Sequence, residues 1–120
     1  MIEIGRTAAV TLVVGDGDTA LAYGSGDVPV LATPRVLALA EQAAVAALGE
    51  DLGKGQTSVG VHAELHHVKA TKLDVAVTAT AEVLAVAGRQ VTFEFRVTEG
   101  EEAVAYGTHQ RVIVDRSRFG

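Results

Sequence analysis

From Thr57 onwards the chain alternates between apolar and polar positions. Val59, Val61, Ala63, Leu65 and His67 fall on one side of an extended backbone, and Ser58, Gly60, His62, Glu64 and His66 on the other. Residues 73 to 86 alternate again, with Leu73, Val75, Val77, Ala79, Ala81 and Val83 together. The cleanest alternation runs from 90 to 98: Val91, Phe93, Phe95 and Val97 against Gln90, Thr92, Glu94, Arg96 and Thr98. Residues 103 to 114 make a last strand. Ala87-Gly88-Arg89 and Glu99-Gly100-Glu101 read as tight turns between neighbours. Four strands over 57–114, joined as an antiparallel meander, are the expectation.

The first half has a different rhythm. Residues 7 to 14, TAAVTLVV, are rich in β-branched side chains and predict a strand. Gly15-Asp16-Gly17-Asp18 is a turn, TALAY after it a short extended stretch, and Gly24-Ser25-Gly26-Asp27 a flexible segment. Thr33-Pro34 then starts a helix, with Thr as the capping residue and Pro in the first turn. The helix runs through VLALAEQAAVAAL, Val36 to Leu48, and ends near Gly49 to Gly53, with 52–56 as a loop. Glu41 is the only charged residue of Val36–Leu48. A helix apolar nearly all round is expected to be buried, and a carboxylate inside it needs water, a partner or a task. Glu41 and Gln42 marking one solvated stripe is the alternative. The resulting plan is α+β: one or two N-terminal strands, one long central helix, and an antiparallel sheet of about five strands curling around it. No repeat or linker divides residues 1–120, which read as a single domain.

Composition narrows the function classes. Aromatic residues are few, three Phe and two Tyr with no Trp, so Ala and Val build the core. The net charge of −5 with scattered basic residues argues against nucleic acid or an anionic membrane as partner. The chain has no Cys, hence no disulfide or thiolate chemistry. The N-terminus lacks the pattern of a secretory leader, and no apolar run reaches spanning length. A cytoplasmic protein is the expectation.

Several residues carry candidate chemistry. His62 and His66 on one strand would lie about 13 Å apart, too far to share a metal ion, so no metal site is expected. The alternation turns His67 inward and the other two outward. A core histidine bonded to a carbonyl is the simpler role for His67, and an edge-strand cation the simpler one for Arg111. Asp16 and Asp18 lack the further ligands of a calcium loop. Thr33 places a hydroxyl at a helix N-terminus, where amides and dipole favour developing negative charge. Thr33 and Glu41, eight residues apart, stand about 12 Å apart along a straight helix and about 80° apart around it. They cannot hydrogen-bond to one another.

Three segments together resemble the fluoroacetyl-CoA thioesterase family of hotdog-fold acyl-CoA thioesterases. These are VPVLATPRVLALAEQAA from Val28 to Ala44, SVGVHAELHHVKAT from Ser58 to Thr71, and YGTHQRVIVDRSRF from Tyr106 to Phe119. The resemblance implies a hotdog fold, an antiparallel sheet wrapped on one helix. It implies a catalytic set at the matching positions Thr33, Glu41 and His67. Gly60 would contact the thioester through its backbone amide, and Arg111 would line the substrate pocket. The implied activity is hydrolysis of a short acyl-CoA thioester at a site between subunits of a homodimer or dimer of dimers. Coenzyme A would be part of the substrate, with no separate cofactor. A non-catalytic acyl-CoA-binding hotdog protein is the alternative. The fluoroacetyl-specific member carries phenylalanines before the helix, where this chain has Gly24 and Asp27, and the family's His-Glu-Arg reads His109-Gln110-Arg111 here. The resemblance therefore leaves the acyl group open.

Overall fold

The computed structural model describes residues 2–119. Strand β1 (Thr7–Val13) leads through two short turns of helix, the second being α1 (Ala20–Tyr23), to the long helix α2 (Thr33–Leu48). Strands β2 (Gln56–His67), β3 (Ala76–Ala87), β4 (Gln90–Glu99) and β5 (Glu102–Asp115) follow. All pairings are antiparallel and the strand order is β1-β3-β4-β5-β2, so the expected four-strand meander holds only for β3, β4 and β5, and β2 pairs with β5 instead of β3. Both strands that flank α2 in sequence are therefore sheet edges, and the helix crosses from one edge to the other.

The alternation of β3 and β4 does what the pattern predicts. Val77, Ala79, Ala81 and Val83, with Val91, Phe93, Phe95 and Val97, are all at most 1% exposed and face α2. Against them α2 buries Val36, Leu39, Ala40, Ala43, Ala44, Ala47 and Leu48. Small alanines let the helix lie close to the sheet, and Phe93 and Phe95 fill the space that remains. Burying each aromatic contributes about 2–3 kcal/mol by transfer alone.

Two expectations about the helical segments need correction. TALAY is not extended: Thr19 caps the short α1 through Ala22 N, and Gly24 closes it in the left-handed region at φ 67°. A Thr cap and a left-handed Gly five residues apart were the available signal. Thr33 is not the cap of α2 either. Ala32 is, in extended conformation, and its carbonyl accepts from Arg35 and Val36. Thr33 is the first helical residue, which frees its hydroxyl for another partner. Nor is α2 buried all round. It packs chiefly on β1 and β3, so its far side is open, and Glu41, Gln42 and Val45 lie along that stripe.

That off-centre packing decides where polar groups can sit. The inner faces of β5 and β2 are only partly roofed by α2. Polar side chains there can be buried among one another without being sealed beneath the helix. Among the described residues no strand pairs with the outer edge of β2, and Val61 and Val68 on or beside it are more than half exposed.

Candidate active site

A bulge in β2 sets the site. The register with β5 runs Ser58–Ile113, Val59–Val112 and Gly60–Arg111, then slips, resuming at His62–Gln110 and Ala63–His109. Directly opposed residues share a face of the sheet. Below the slip, Ser58 and Gly60 thus join Arg111 and Ile113 on the inner face. Above it, Ala63, Leu65 and His67 share that face with His109, Gly107 and Ala105. The unbroken alternation placed Ser58 and Gly60 outside and Val59 and Val61 inside. One extra residue reverses that for the first half of the strand while leaving His67 inward as expected.

Two polar groups result, both along α2. The first is at its N-terminus. Thr33 Oγ1 lies 2.8 Å from His67 Nδ1. His67 Nε2 is buried without a hydrogen-bond partner. Burial pulls the proton affinity of this ring below its ordinary value; the nearby Lys69 backbone opposes the shift, but not in hydrogen-bonding geometry. The imidazole is therefore neutral at neutral pH. It opens on a cleft of about 400 Å³, whose walls include Ser25, Gly26, Asp27 and Val28 from the segment before the helix.

The second group lies two turns further along. Glu41 Oε2 is 3.3 Å from Arg111 Nη1 and 3.8 Å from His109 Nε2. Its side chain is 40% exposed, while that of Arg111 is 9% exposed. Arg111 also donates from Nε to Ser58 Oγ at 2.8 Å and from Nη2 to the Ser58 carbonyl at 3.1 Å. Burial lowers the proton affinity of Arg111 and the Glu41 carboxylate opposes it, leaving a guanidinium that stays charged. Gly60 completes the group. A Cβ there would stand 2.7 Å from Glu41 Oε2 and 3.3 Å from Arg111 Nη1, so only glycine fits without displacing the ion pair.

The structure thus brings Thr33 to His67, and Glu41 to Gly60 and Arg111. Among the described residues no hydrogen bond links the two groups. Glu41 is at once on the open stripe of the helix and partnered by a buried cation, so both expectations for it hold in part. Sequence reasoning did not assign Ser58 and His109. His109 was findable, because 105, 107, 109, 111 and 113 alternate onto one face of β5. Ser58 was hidden by the bulge. His62 and His66 point away from this site; His66 stacks on Tyr106 with ring centroids 5.0 Å apart.

The same arrangement of chain recurs in solved structures. The fluoroacetyl-CoA thioesterase superposes with a TM-score of 0.92 at 28% identity, covering 99% of this chain and 93% of that one. A hot-dog-like protein from Thermanaerovibrio acidaminovorans gives 0.86 at 28% identity, over 98% and 93% of the two chains. A thioesterase superfamily member from Thermus thermophilus, 21% identical, gives 0.91 over 98% and 88% and supports the fold alone. The fold is that of the hotdog proteins: five antiparallel strands around one long helix. The sequence model of the fluoroacetyl-CoA-specific thioesterases matches residues 14–117, and the chain belongs to that family. The fluoroacetyl-CoA thioesterase of Streptantibioticus cattleyicolor is 32% identical over 90 residues, 75% of this chain and 65% of that protein's length. No helix among the described residues is long and apolar enough to cross a membrane.

Proposed function

We propose that this protein hydrolyses short acyl-CoA thioesters. The observation that carries the reading is the hydrogen bond between Thr33 and the neutral, inward His67 at the mouth of a cleft. Nδ1 of a neutral imidazole accepts the hydroxyl proton, which makes His67 the general base for Thr33 or for a water beside it. Attack on the thioester carbonyl breaks the acyl–sulfur bond and releases the acid and the thiol of coenzyme A. The N-terminus of α2 stabilises the oxyanion, together with the Gly60 amide that the second copy would bring beside its Glu41. Glu41, held by Arg111, positions the water or attacks the acyl group, and Arg111 bounds the acyl pocket. Coenzyme A enters only as part of the substrate, and this chemistry needs no metal or further cofactor.

The working unit in this reading is a homodimer or a pair of dimers, with the cytoplasm as its compartment. Thr33 and Glu41 belong to one helix and are separated by about 12 Å of rise. A second copy set against the open β2 edge would bring its own Glu41 to the first copy's His67. The S. cattleyicolor relative is named for fluoroacetyl-CoA. In this chain the segment walling the cleft carries Gly26, Asp27 and Val28. We propose short acyl groups broadly, rather than the fluorinated one alone.

Turnover of a panel of short acyl-CoA esters, fluoroacetyl-CoA included, tests the activity; binding of CoA without hydrolysis by the parent would sink it. Mixing Glu41→Gln with His67→Ala protein tests the shared site. Two-fold symmetry leaves one intact site in each mixed dimer, so about a quarter of the parent rate should return after subunit exchange. A mixture as inactive as its components, or a fully active monomer by light scattering, would refute the interface.

A further inference from the structure

His109 is 2% exposed, stands at the centre of the Glu41–Arg111 group and is absent from the walls of the cleft beside it, which Ala38, Glu41, Gln42, Val45 and Arg111 form. Its Nδ1 is 2.8 Å from the carbonyl oxygen of His62, the first paired residue after the β2 bulge. A carbonyl can only accept, so Nδ1 carries the ring proton. In a neutral imidazole Nε2 is then an acceptor. Arg111 Nη1 lies 3.2 Å from it and can only donate. The directions of both bonds follow without choice: Nδ1–H to His62, and Nη1–H to Nε2.

We infer that His109 is a positioning residue for Arg111: the bulge carbonyl fixes its tautomer, and the fixed Nε2 acceptor aims the guanidinium at Glu41 and the acyl pocket. Ser58 holds the other side of the guanidinium through Nε and Nη2. Two strands and one imidazole thus define the plane of the cation before any substrate arrives. The bulge has a purpose in this arrangement, since it turns Gly60 inward beside Glu41 and delivers the His62 carbonyl to His109.

The surroundings of the ring agree. Glu41 faces it from α2, Arg111 from its own strand and His62 from β2; β4 contributes the Phe93 ring, with centroids 6.3 Å apart. Burial lowers its proton affinity, the His62 carbonyl opposes that, and the charge of Arg111 adds to it. A second ring proton would occupy Nε2 and remove the acceptor.

Only the kinetic part of the test rests on the thioesterase reading. Gln retains one donor and one acceptor at about the spacing of the ring nitrogens, and Leu removes both. Long-range ¹H–¹⁵N spectra of the parent should show His109 protonated at Nδ1 and bare at Nε2. Exchange of the Arg111 guanidinium protons should be slow in the parent and in His109→Gln, and at least tenfold faster in His109→Leu. With a short acyl-CoA ester, kcat should fall at least tenfold in His109→Leu with KM changed less, and stay within about threefold of the parent in His109→Gln. An Nε2-protonated ring, or unchanged Arg111 exchange in His109→Leu, overturns the inference whether or not any ester is hydrolysed. So does a folded, active His109→Leu enzyme with parental kcat. Absence of turnover in the parent, with the exchange pattern as expected, would count against the thioesterase reading and in favour of the positioning role.

Discussion

The two polar groups along α2 differ in how completely they are satisfied. Around Arg111, donors and acceptors close on one another: Ser58 twice, Glu41 and His109, with His109 anchored to His62. At the helix N-terminus, Thr33 and His67 share one hydrogen bond and the second ring nitrogen is left buried and unpartnered. A closed network fixes geometry, whereas an open pair leaves the bond between the Thr33 hydroxyl and Nδ1 unshared with any third group. In the proposed thioesterase reading, the closed network around Arg111 serves as the clamp and the open pair at His67 as the place of proton transfer.

The largest effect should come from the open pair. Thr33→Val and His67→Ala should each lower kcat about 100-fold or more while moving stability by less than about 1 kcal/mol. The double variant should be little worse than either, because the two act as one unit. Additive losses would break the division between the groups. Gly60→Ala should come next and act on the clamp. Its Cβ would push against Glu41 and Arg111, costing about 1–3 kcal/mol in chemical denaturation and raising KM.

Acid sharpens the comparison by acting on both groups. His67 and His109 each bind a proton less readily in the folded protein than at the ordinary value of 6.5. The unfolded chain therefore takes up more protons as pH falls. The stability these rings contribute is complete above 6.5 and is lost as pH drops through their lowered folded values. Melting temperatures measured from about pH 7.5 down to about pH 5 should decline, and less steeply in His109→Gln. The smallest effect belongs to His62→Gln. Only its backbone oxygen serves the site, so stability should change within about 0.5 kcal/mol. A large loss there would mean that the imidazole, rather than the carbonyl, matters.

Much of this molecule was legible along the chain. The long helix was visible through its Ala and Leu content and its Thr33-Pro34 start, and three of the four strands after it through alternation. His67 was turned inward by alternation, and Thr33, Glu41, Gly60 and Arg111 were given roles in a site only by resemblance to a family. One error is topological: only β3, β4 and β5 form the expected meander, because β2 pairs with β5 at the far edge and leaves the side of β3 to β1. The others fall where one residue changes the geometry. The cap lies at Ala32 instead of Thr33, since capping depends on which residue leaves the extended region first. TALAY is a turn of helix, since four residues are too few to show a period. Ser58 and Gly60 face inward because the strand slips by one between Gly60 and His62.

By itself the sequence determined the alternation of the strands, the small-residue core of Ala and Val, and the isolation of one carboxylate in an apolar helix. Those are local properties, written in residue order. Tertiary structure alone decided which partners the polar groups take. Glu41 meets Arg111 and His109, each about 70 residues away in the chain, because α2 lies to one side of the sheet and a bulge turns the start of β2 inward. Such contacts depend on sub-ångström placement of distant strands, and no local pattern encodes that.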